Sequence, residues 1–142
     1  MPRPYLALTL ALALPVLVVG CTGAPVSVAS NTYPNVPPGL AQEVNLFSAE
    51  PLAVWTHGHT ILAVITVGSE ECPPVPTSIE APDASTVAIT FVKSPNSPCT
   101  ANASPTTHEF KLPAGLDAQS DVIVEIHFAF DPPVDYSVPV EE

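Results

Sequence analysis

Nineteen prolines are spread through 142 residues, and between them the apolar residues gather into short runs of Val, Ile, Ala and Thr. Proline breaks a helix interior because it lacks an N–H and collides with the preceding turn. β-Branched side chains favour the pleated surface of a strand. Together these predict an all-β domain of short strands, punctuated by proline-rich turns. The clearest run is Asp121 to Phe130. Val122, Val124, Ile126, Phe128 and Phe130 fall on every second position, with Glu125 and His127 between them. A strand with that period has one buried face and one solvated face.

Five further runs read as strands. Leu52 to Thr56 and Thr60 to Val67 are separated by His57-Gly58-His59, which reads as a hairpin turn. Thr60 to Val67 is apolar on both alternations, as expected of a central strand. Thr86 to Val92 turns Val87, Ile89 and Phe91 inward. Thr106 to Leu112 sets Phe110 and Leu112 against Glu109 and Lys111. Val134, Tyr136 and Val138 suggest a last, proline-limited edge strand. Six short antiparallel strands predict a small β-sandwich of the immunoglobulin-like kind over residues 40–142, with a small barrel as the other solution. Leu40 to Ala49 reads either as one helical turn or as a lead-in to the sheet.

The amino terminus carries a different message. Arg3 precedes an apolar run from Tyr5 to Val19, which closes on Val18-Val19-Gly20-Cys21. A positive start, an apolar centre and small residues before a cut make a secretory signal over residues 1–20. The run is shorter than the roughly twenty apolar residues of a membrane span, and Pro15 interrupts it. A Cys directly after Gly20 makes this stretch resemble the lipobox of bacterial lipoproteins. That resemblance implies diacylglycerol on the Cys21 thiol, cleavage before Cys21 and acylation of the new amine. The expected location is the cell membrane, lipid-anchored, facing the extracytoplasmic side. Residues 21–39 hold Pro25, Pro34, Pro37 and Pro38 among Ser, Thr, Asn and Gly, and read as a semi-extended tether.

With Cys21 assigned to lipid, Cys72 and Cys99 remain, and two cysteines in an exported protein predict one disulfide. After cleavage, Lys93 and Lys111 stand against fourteen carboxylates. Such a surface repels nucleic acid phosphates. The membrane is therefore a partner through the lipid alone, and no nucleic acid partner is expected. The segments Val67-Gly68-Ser69-Glu70-Glu71-Cys72-Pro73-Pro74-Val75-Pro76, Cys99-Thr100-Ala101, Pro105-Thr106-Thr107 and Leu112-Pro113-Ala114-Gly115-Leu116-Asp117 resemble a small secreted domain of actinobacterial lipoproteins. The resemblance spans about Leu52 to Phe130. It implies export, a Cys72–Cys99 bridge and a β fold, and it transfers no functional residue.

Few residues suggest chemistry. His57 and His59, at alternate positions, are candidate ligands for Zn²⁺ or Cu²⁺, with His127 or His108 to complete a set. A turn would break their common facing, so the bland reading is two surface histidines and no metal site. Glu70-Glu71, Asp117 with Asp121, and Asp131 with Asp135 lack Ca²⁺-loop spacing and read as a solvated acidic surface. There is no Gly-x-Ser-x-Gly elbow and no phosphate cradle. Trp55 and Tyr136 are candidates to stack on a sugar or peptide, although Trp55 reads as core. The sequence therefore predicts an anchored, non-catalytic binding or structural module without a cofactor. Its partner would be an envelope protein, a glycan or a small ligand. An envelope hydrolase and a metal-binding lipoprotein using His57 and His59 are the alternatives.

Overall fold

A computed structural model describes residues 23–40 and 44–141. The expected signal peptide over residues 1–20 and the expected lipidation site Cys21 lie outside them. Among the described residues the fold is all-β, with no helix. Eight strands follow in chain order: β1 Asn31–Pro34, β2 Leu52–Thr56, β3 Ile61–Gly68, β4 Val75–Asp83, β5 Thr86–Val92, β6 Ser104–Lys111, β7 Ile123–Phe128 and β8 Val134–Glu141. They form one sheet in the order β1-β6-β3-β2-β8-β7-β5-β4.

The sheet is curled and mixed, a half-barrel rather than two antiparallel layers. Its first half, β1-β6-β3-β2, is antiparallel throughout. In the second half β5 and β7 run parallel over six residue pairs. The two halves join through a short parallel contact, Ala53 to Val140 and Val54 to Glu141. The antiparallel immunoglobulin-like expectation is corrected here. Parallel neighbours need a crossover connection, and β6, placed in the other half, supplies it between β5 and β7. The edges also approach each other, since the Val28 N–H donates to the Pro76 carbonyl at 2.9 Å.

Curling lets the concave face pack against itself. Leu62, Val64 and Phe110 from one half meet Val87, Ile89, Phe91, Val124, Ile126 and Phe128 from the other. The alternation in β7 holds as read: Val122, Val124, Ile126 and Phe128 are buried, while Glu125 and His127 are exposed. β3 is buried on both faces. On its outer face Ala63 and Ile65 join Val54 under Val36, Leu40, Val44 and Leu52. Leu40 and Val44 therefore help to cover the sheet, and the reading of a helical turn from Leu40 to Val44 falls on residues 41–43, outside the described residues.

Two strands escaped the sequence reading. β4 is hidden by Pro76 and Pro82 and by two register shifts. It is an edge strand, where missing N–H groups cost little. β1 lies inside the expected tether and has no hydrophobic period. Polar pairs hold it to β6: the Tyr33 hydroxyl donates to Glu109 Oε1 at 2.9 Å, and Ser30 Oγ donates to the Glu109 carbonyl at 2.9 Å. The domain thus begins before Leu40. β8 corrects a third expectation. It is an interior strand between β7 and β2, with Pro139 opposite Ile123.

The Cys72–Cys99 disulfide is present, with the two Cα atoms 5.4 Å apart. It joins the loop after β3 to the loop before β6. Asn96 Nδ2 donates to the Glu71 carbonyl at 2.8 Å, and the Ser69 and Thr100 hydroxyls meet at 3.0 Å. These contacts make one braced loop pair at that end of the half-barrel.

Candidate ligand cleft

Inward-facing alternation does not stop where the core is full. On β7 it continues past Phe128 to Phe130, and on β5 it continues past Phe91 to Lys93. On β3 it ends at Thr66 and Gly68. These overruns emerge at one end of the half-barrel, beside the disulfide. They enclose a cleft of about 380 Å³, completed by Ala49, Ser69, Cys72, Pro74, Val134 and Tyr136. A volume of roughly 300–1,000 Å³ with mostly apolar walls is usual for a small-ligand site.

Aromatic rings form its inner wall. Phe128 lies 5.2 Å from Phe91 below it, 5.1 Å from Phe130 at the lip and 6.0 Å from Tyr136, centroid to centroid. The backbone fixes the lip, because the Ala129 N–H donates to the Phe91 carbonyl at 2.8 Å. Thr66, 3% exposed, contributes to the floor. Among the described residues no Asp or Glu lines the cleft, and Lys93 is its charged group.

Behind Thr66 sits His108, fully buried. Its Nε2 lies 3.2 Å from the Thr66 hydroxyl and its Nδ1 lies 3.4 Å from the Thr32 hydroxyl. The ring meets Phe91 edge-on at 5.1 Å. A neutral imidazole donates from one nitrogen and accepts at the other, and a hydroxyl can answer either. Burial pushes His108 down from 6.5 to about 4. A free chain binds this proton near pH 6.5 and the folded chain only near pH 4. Stability contributed by the neutral ring is therefore full above pH 6.5 and is lost as pH falls through that window. The expected loss is about 3 kcal/mol between pH 7 and pH 4. Urea unfolding of wild type and His108→Gln across this range measures it. Identical pH slopes for the two proteins would refute the assignment.

The remaining sequence candidates are scattered. His57, Gly58 and His59 occupy the β2–β3 hairpin with φ of 53°, 64° and 64°, the turn expected. His59 stacks on Trp55 with ring centroids 5.4 Å apart and planes 9° apart. Its Nδ1 lies 3.4 Å from the Ala118 carbonyl. Trp55 packs against the core, as read. His127 faces solvent and pairs with Asp135 at 2.5 Å across β7 and β8. Glu70 accepts from Asn102 Nδ2, and Asp117 accepts from the Gln119 N–H in a tight turn. Among the described residues no three His, Cys, Asp or Glu side chains converge as a metal requires. Tyr136 alone of the sequence candidates for ligand contact lines the cleft, together with the disulfide. Sequence reasoning missed Lys93, although the Val87-Ile89-Phe91-Lys93 alternation carried the signal.

Comparison with protein-family models, with curated proteins and with solved structures finds no match to this chain.

Proposed function

We propose that this protein is a lipid-anchored binding module of the cell envelope, and that the cleft at its disulfide end is the ligand site. The cleft is the observation that carries the binding reading. It joins an apolar, aromatic wall to one charged group, Lys93, and a β frame with a disulfide borders it. Ser69 and Ser94 are the serine hydroxyls at its edge, and no histidine lines it to act as their base. That favours binding over hydrolysis. The solvent-facing pair His127–Asp135 lies on a different surface, in a recess of about 390 Å³ beside Thr90 and Ser137 whose walls carry Glu125 and Asp135 and lack the Phe128–Phe130 wall.

The anchoring half of the proposal rests on Val18-Val19-Gly20-Cys21 and the apolar run before it. A thioether-linked diacylglycerol, with or without a third chain, holds a protein on a bilayer where one chain would not. Cys21→Ser is expected to abolish incorporation of an alkyne fatty acid and to move the protein out of the membrane fraction. Continued labelling of Cys21→Ser would overturn the anchoring assignment.

A further inference from the structure

Charge is unevenly placed on this molecule. The whole chain has a formal charge of −11. Two lysines lie among the described residues, Lys93 and Lys111. Lys111 is opposite Ile61, at the hairpin end of the sheet. Lys93 is at the other end, on the rim of the cleft, where no carboxylate among the described residues joins it. Lys93 is exposed and makes no ion pair among the described residues. A single amine beside a ring-lined apolar recess, on an otherwise acidic protein, is complementary to one anionic head on one apolar body.

We propose that the cleft binds a single-chain aliphatic carboxylate. Its chain lies against Phe128, Phe130 and Tyr136, and its head is held by Lys93. This rests on the cleft being the ligand site. The volume of about 380 Å³ is near the lower end for small-ligand sites. It suits one chain better than the two chains of a phospholipid. Long-range repulsion from fourteen carboxylates works against any anion. Preference for an anionic head over a cationic one is therefore a local property of the site, reporting directly on Lys93.

The test uses the full-length protein in phosphatidylcholine vesicles and a photoreactive diazirine analogue of decanoic acid. Its uncharged alcohol counterpart is the control probe. Adducts are mapped by mass spectrometry. Both probes should label the cleft segments, 66–74 and 128–136. Lys93→Gln should cut labelling by the carboxylate about fivefold, the order of one partly solvated ion pair, and leave labelling by the alcohol unchanged. Ala49→Trp, an exposed change at the rim, should suppress both probes. Decanoate should compete at least fivefold better than decyltrimethylammonium. Equal labelling of wild type and Lys93→Gln by the carboxylate, with both probes still in the cleft, would overturn the head-group assignment and leave the ligand site standing. Labelling of the cleft by neither probe would overturn both readings, and labelling by the alcohol alone would overturn the carboxylate ligand and leave the ligand site standing. Loss of labelling when phosphatidylglycerol replaces phosphatidylcholine would assign the site to a phospholipid and refute the single-chain ligand.

Discussion

Phe91→Ala is expected to lower the free energy of unfolding by about 3–5 kcal/mol, through lost burial and the cavity left behind. Phe91 is 0% exposed. It lies on β5 in one half of the curled sheet, yet its ring meets His108 on β6 in the other half at 5.1 Å. On its own half it stacks with Phe128 at 5.2 Å. The side chain therefore joins the two halves where backbone contact between them is sparse, namely the short β2–β8 pairing and the Val28–Pro76 hydrogen bond. Neighbours from two separate elements cannot both move in to fill the space, so collapse relieves little of the cost. His127→Ala is the matched control. That ring faces solvent with 47% of its side chain accessible, and its loss should cost under about 1 kcal/mol. Chemical denaturation of the two variants makes the comparison. A Phe91→Ala cost below that of His127→Ala would mean that the concave face is not the core.

Cys72→Ala and Cys99→Ala should each destabilise the fold by about 3.5 kcal/mol, the chain-entropy value for closing a loop of this length. The cysteines are 27 residues apart, and the loop they close contains β4 and β5 entire. Cross-linking the unfolded chain there removes many arrangements of that hairpin relative to β3 and β6. The double variant should be no worse than either single one, since all three lose the same bond. Wild type unfolded in reductant should approach them. Coincident midpoints with and without reductant would refute a stabilising bridge. Because Cys72 and Cys99 also line the cleft, the same variants should weaken carboxylate labelling in proportion to loosening of the loop pair.

Much of this architecture was written in local pattern. The face that β7 buries, the double burial of β3, the inward set Val87, Ile89 and Phe91, and the turn at His57-Gly58-His59 are all consequences of a two-residue period and of turn chemistry. Neither needs a partner strand to be recognised. The disulfide followed from counting cysteines in a chain read as exported. β1 and β4 were not legible for a physical reason. An edge strand tolerates proline and needs no apolar alternation, so Asn31–Pro34 and Val75–Asp83 resemble linkers in sequence.

His108 shows the same limit at a single residue. In sequence it is one histidine of four. Its burial comes from Thr32, Thr66 and Phe91, which stand 76, 42 and 17 positions away. Lys93 is similar: its alternation is visible, but a cleft exists only because the ends of β3, β5, β7 and β8 meet there. The sequence by itself determined which faces of most strands are apolar, where the clearest hairpin turns and which cysteines can pair, because those depend on neighbours within a few residues. Tertiary structure alone decided that β5 runs parallel to β7, that β8 is interior, and that an apolar cleft opens beside one lysine. Strand partners are chosen by contacts between distant residues, and no local period encodes that choice.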